Sequence, residues 1–127
     1  MALTYVAAVF LDPRGQTLVV RGADEHSALF SNLWQFPSVR ANHASRRALA
    51  QYLRDSLGGP CPELRPLNAL RHTVTFRRIE LAPFLVPVRQ LPSIPGARML
   101  QLEKIQSVPI SNATRKIARA ALDAVSK

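Results

Sequence analysis

Cysteine is almost missing from this sequence. Cys61 stands alone among 127 residues. That excludes an internal disulfide, a four-cysteine zinc site and a four-cysteine iron–sulfur cluster within the chain. No apolar run approaches the roughly 20 residues that a membrane span requires. The start, Met1-Ala2-Leu3-Thr4-Tyr5, lacks the basic segment of a secretory signal. A reducing, cytoplasmic setting with no membrane partner is the expectation. There is no P-loop and no Gly-x-Gly-x-x-Gly to cradle a nucleotide. His26, His43 and His72 share no metal-ligand spacing. Cys61, between Pro60 and Pro62, has no neighbouring base to activate it. Acids are scarce too, and between Glu25 and Glu63 only Asp55 carries a negative charge.

What is abundant is arginine. Lys and Arg total 17 against 8 acids, a formal charge of +9. Residues 1–36 carry a net charge of −1, residues 37–90 of +6 and residues 91–127 of +4. Fourteen of the 17 basic residues are Arg, the side chain suited to phosphate forks and stacking. A balance this basic points to a polyanion, and nucleic acid is the first candidate.

The apolar patterning places the elements. Tyr5 to Leu11 reads as a buried strand, Asp12-Pro13-Arg14-Gly15 as a turn, and Gln16 to Arg21 as the return strand of a hairpin. Gly22 to Asn32 is a polar loop, and Leu33 to Pro37 a short aromatic strand. From Asn42 to Leu57 the period becomes helical, with Ala48, Leu49, Tyr52, Leu53 and Leu57 on one stripe. Asn42 or Ser45 can cap that helix, and Gly58-Gly59 can end it. After a proline-rich link from Pro60 to Pro66, strands are expected near Leu67–Thr75, Arg77–Pro87 and Ala97–Leu102. Ser111 caps a last helix whose stripe is Ile117, Ala121, Leu122 and Val125. The order β-β-β-α-β-β-β-α has no regular parallel crossover, so the class is α+β, a mixed β-sheet sandwiched by helices in a single domain spanning 1–127.

A short strand with Trp-x-Phe-Pro, then a helix ending in Leu-Gly, resembles the Nudix fold. That family's signature implies a set of glutamates on the helix, which hold Mg²⁺ against a pyrophosphate. With Gly58 taken as the last glycine of the signature, its Arg-Glu pair falls on Gln51 and Tyr52, and its Glu-Glu pair on Asp55 and Ser56. One carboxylate of the set survives. No metal site and no catalytic residue are expected in this chain.

Three stretches, in order, resemble the C-terminal Nudix-like domain of MutY-type adenine DNA glycosylases. Ser31-Asn32-Leu33-Trp34-Gln35-Phe36-Pro37 is similar to its Gly-Leu-Trp-Glu-Phe-Pro segment. Leu70 to Leu81 is similar to its strand–loop–strand with a Phe-(Ser/Thr)-His tip. Val108 to Ile117 is similar to its closing Leu-Pro-x-Ser-x-x-x-Arg-Lys-Ile. At the tip, the hydroxyl is kept as Thr75, while the flanking aromatic and histidine are replaced by Val74 and Phe76.

The resemblance implies a reader of 8-oxoguanine in duplex DNA. It implies that Val74, Thr75 and Phe76 address the base, with Arg71, His72, Arg77 and Arg78 around them. Trp34 and Phe36 are expected in the core. Arg46, Arg47 and Arg54, off the helix stripe, read as a second phosphate patch or a solvated face, with the solvated face preferred, while Arg115, Lys116 and Arg119 stay open between phosphate contacts and solvent. The partner implied is a helical glycosylase domain or chain that excises adenine, and an iron–sulfur cluster would belong to that part; no cofactor is expected here. The implied location is cytoplasmic and nucleoid-associated. Two other readings stay open. One is a Nudix hydrolase with a degenerate metal site, acting on nucleoside diphosphate derivatives. The other is a Nudix-fold module that binds without catalysis.

Overall fold

The computed structural model describes residues 2–21, 33–41, 45–57, 63–74 and 77–125. Along the chain run β1 (Ala2–Leu11), β2 (Gln16–Arg21), β3 (Trp34–Gln35), β4 (Ser38–Ala41), α1 (Ser45–Leu57), β5 (Arg65–Pro66), β6 (Leu70–Val74), β7 (Arg77–Pro87), β8 (Ala97–Gln101) and α2 (Asn112–Val125), with a 3-10 segment at Leu102–Ser107. The α+β class holds. Two short strands, β4 and β5, add to the expected order.

The apolar run of β1 explains the centre of the molecule. A strand with apolar residues on successive positions needs cover on both faces. Val6, Ala8 and Phe10 join one buried cluster with Leu49 and Leu53 of α1. Tyr5, Ala7 and Val9 join a second with Ile117 and Ala121 of α2. Both edges carry partners, one of them over Thr4 to Ala7 only. β4 pairs antiparallel, with Thr4 opposite Ala41, and β7 pairs parallel, from Ala2 opposite Arg78 to Leu11 opposite Pro87.

That arrangement corrects the hairpin expected over the first 21 residues. The turn itself forms. Asp12 Oδ1 accepts from the amides of Arg14 at 2.9 Å and Gln16 at 2.8 Å, and Gly15 takes a φ of 82°. Beyond it, β2 leaves β1 and pairs with β3 and β8 in a second sheet, ordered β3-β2-β8.

β7 divides its other edge between two partners. β6 pairs antiparallel with residues from Arg77 to Leu81, and β5 with Phe84 and Leu85. Pro83 lies at the changeover. Its carbonyl accepts from the Leu67 amide at 2.9 Å, and its missing N–H faces the same edge, between the two ladders, where no strand asks for a donor. The last two residues of the expected proline-rich link thus form β5, and the strand expected from Leu67 begins at Leu70.

On α1, Leu49 and Leu53 are buried, while Arg47, Gln51, Arg54 and Asp55 are exposed. On α2, Ser111 is the cap: its Oγ accepts from the Thr114 amide at 3.1 Å and donates to Thr114 Oγ1. Ala113, Ile117, Ala118 and Ala121 are buried. Val125, expected on the same stripe, is 44% exposed. It lies at the level of Leu11 and Gly15, where β1 has ended. The loop from Gly22 to Asn32, the alternative cap Asn42 and the helix end Gly58-Gly59 lie outside the described residues. Among the described residues, no helix is long and apolar enough to cross a membrane.

Candidate nucleic-acid interface

The β6–β7 ladder carries most of the residues singled out in the sequence. Arg71 lies opposite Glu80, His72 opposite Ile79, Thr73 opposite Arg78 and Val74 opposite Arg77. Thr75 and Phe76 separate the last pair in sequence and lie outside the described residues. Arg77 and Arg78 are placed by the register of β7 against β6 and β1. Parallel pairing sets Ala2 beside Arg78 and Thr4 beside Glu80. The near end of β7 is therefore flanked on both edges.

Arg71 is open to solvent. Its side chain is 77% exposed, and its Nε lies 4.0 Å from Glu80 Oε1, on a side chain 48% exposed. So open a pair at so long a distance contributes little, and the guanidinium remains available to a phosphate. Glu80 was not singled out in the sequence. Its place beside Arg71 becomes visible only through the register.

The position of the Nudix glutamates is held by α1, and the residues there do not fit a magnesium ion. Asp55 is the lone carboxylate, it is exposed, and its Oδ1 accepts from Gln51 Nε2 at 3.0 Å. Magnesium prefers octahedral oxygen ligands and usually keeps one or two carboxylates plus substrate phosphates. Gln51 and Tyr52 offer no second carboxylate. Among the described residues, no three His, Cys, Asp or Glu side chains gather in one place.

Phe36 is buried, with 3% exposure, and Trp34 is half-buried against the same cluster, so both belong to the core. Arg115, Lys116 and Arg119 are exposed on α2. Lys116 and Arg119 line an open groove of about 450 Å³ with Asn68 and Leu70. Arg65 is engaged by Glu63. A concavity of about 670 Å³, lined in part by Arg14, Arg89 and Met99, contains none of the residues expected to meet DNA.

No family model matches the chain. Human adenine DNA glycosylase is 32% identical over 104 residues, which cover 74% of this chain and 19% of that protein. The C-terminal domain of mouse MUTYH, solved in complex with human PCNA, superposes with a TM-score of 0.78 at 27% identity, covering 98% of this chain and 90% of that one. The chain is a MutY-type C-terminal, Nudix-like domain. This MutY-type domain spans about a fifth of the length of the human glycosylase. Its fold extends further, to the MutT protein of Methanosarcina mazei, with a TM-score of 0.75 at 16% identity over 99% of this chain and 96% of that one. The ORF135 protein of E. coli gives 0.73 at 20% identity, over 96% and 89%. These two likenesses concern the fold alone.

Proposed function

We propose that this MutY-type domain senses 8-oxoguanine in duplex DNA, so that a separate helical domain or chain can excise the mispaired adenine. The observation that carries the reading is the β6–β7 ladder. It ends with Val74 opposite Arg77, leaves Thr75 and Phe76 as the connection, and has the exposed Arg71 further back. Three arginines around one turn suit phosphate contacts, which fix register without reading sequence.

The chemistry at the tip follows from the lesion. Guanine offers an acceptor at N7; oxidation puts a proton there and an oxygen on C8. A hydroxyl such as that of Thr75 accepts from this N7–H, and its own proton turns to another acceptor. Arginine, which only donates, makes no such bond. Phe76 or Val74 would wedge beside the locally unstacked base. Arg71, Arg77 and Arg78 would take phosphates, with His72 on the ladder between them. Excision belongs to that separate part, and this chain alone is expected to bind DNA without removing a base.

Fluorescence anisotropy on matched duplexes, with and without 8-oxoguanine, tests the reading. The lesion duplex is expected to bind more tightly, and both affinities to fall steeply with salt. Equal affinity for the two duplexes at every salt concentration would overturn it.

A further inference from the structure

The spacing of side chains on α2 gives it two faces. Ala113, Ile117 and Ala121 recur every four residues and are buried. Lys116, Arg119, Ala120 and Asp123 stand at i, i+3, i+4 and i+7, so they share a neighbouring face. That face lines the open groove of about 450 Å³, with Asn68 and Leu70 on the other wall. Lys116, Arg119 and Asn68 are exposed. Among the described residues, carboxylates engage Arg65 and Arg71 but neither Lys116 nor Arg119. Asp123 is the one acid among the described lining residues. Ala120 and Ala124 add only methyl groups there, which keeps the groove open.

The sheet sets this groove beside the candidate interface. Leu70 lies opposite Leu81, and both pack in the cluster that Ile117 and Ala121 cover. Arg71, the next residue along β6, lies opposite Glu80 and takes the other face of the sheet. Among the described residues β6 pairs with β7 alone, so it is an edge strand, and the two faces meet along it. Cations therefore flank one edge from both sides, Arg71 on one, Lys116 and Arg119 on the other. α2 runs away from the hairpin. Ala113 and Ile117 lie against Ala7 and Leu81, whereas Leu122 and Val125 lie against Leu11 and Gly15. Lys116 is thus in the half nearer the hairpin, with Arg119 about one turn behind it. From Leu70 to Val74 is about 13 Å of strand, the rise of about four nucleotides along one DNA strand.

We propose that the β6–α2 groove carries the DNA backbone away from the lesion, with Lys116 and Arg119 each taking a phosphate. This rests on the DNA-binding reading above. Continuity selects the occupant: the groove borders the same edge strand as Arg71, and its two unengaged cations suit an anion of repeating charge. The Asn68 amide donates to a phosphate or sugar oxygen. Contacts of this kind position a duplex and read no sequence, so they add affinity without adding preference for the lesion. Asp123 repels the phosphate nearest to it and limits the grip.

The test is anisotropy with the 127-residue chain and a plain duplex across a salt series. Lys116→Ala with Arg119→Ala is expected to lower the log–log salt slope by nearly two units, about 0.9 for each phosphate no longer neutralised. The preference for 8-oxoguanine should persist. Lys116→Arg with Arg119→Lys should keep the slope, and circular dichroism should show all variants folded. Asp123→Asn should tighten binding to both duplexes, by up to about fivefold. Arg14→Ala is the control: Arg14 is exposed in the turn after β1, at the opposite end of the sheet, and its loss should leave the slope unchanged. If wild type binds and Arg71→Ala weakens it, while the groove double variant and Asp123→Asn both match wild type, the groove is refuted and the DNA reading stands. An Arg14→Ala effect equal to that of Arg119→Ala also refutes it, because a diffuse positive field then suffices. No binding by wild type, even at low salt, removes the DNA reading and the groove together.

Discussion

The amide of Trp34 donates to the carbonyl of Pro109 at 2.8 Å. That bond fastens two of the three sequence stretches that resemble the MutY-type domain. Trp34 and Ile110 then form a parallel bridge, and the next residue, Ser111, caps α2. The Trp-x-Phe-Pro segment and the closing Pro-x-Ser segment are therefore one structural joint, built from stretches that lie more than seventy residues apart in the chain.

Ser111→Ala removes the acceptor for the Thr114 amide. A lost helix cap costs about 1 kcal/mol. Urea denaturation should show that loss with an unchanged slope, and DNA affinity should not move. A variant as stable as wild type would show that solvent satisfies the helix end equally well.

Thr17→Val should be neutral or stabilising. Thr17 is fully buried on β2, and among the described residues its Oγ1 has no partner. A buried hydroxyl without a hydrogen bond costs about 1–3 kcal/mol, and an apolar group of the same shape avoids that cost. A clear drop in melting temperature would reveal a bond to that hydroxyl.

Thr75→Ala and Arg71→Ala should separate two kinds of contact. The first is expected to reduce preference for the lesion duplex more than overall affinity. The second should weaken binding to both duplexes about equally and lower the salt slope by about one. Equal loss of preference from both would contradict the assigned roles.

Millimolar magnesium should leave the melting temperature unchanged, because a ligand stabilises a protein only as far as it binds the folded state. Asp55→Asn should be equally silent. A rise with magnesium that Asp55→Asn abolishes would show that α1 holds the cation.

Much of the fold was legible because β1 and the helices have strong periods. Leu49, Leu53, Ile117 and Ala121 were placed correctly from spacing alone. The partner of β1 was not legible: an apolar run signals two buried faces but does not name the strands beside it. β4 and β5 are four and two residues long, too short for any period. The hairpin of the candidate site was readable from its motif. The place of Glu80 beside Arg71 was not, because the two meet only through the register of β6 and β7.

Pro83 has a further consequence. Because β7 changes partner there, β6 is held by a ladder separate from that of β5, while β7 itself stays tied to β1 from Arg78 onward. Its first buried side chain among those described is Leu81, six residues past Thr75. A substitution in β6 therefore leaves the β5 pairing in place, and the two halves of this edge can vary independently.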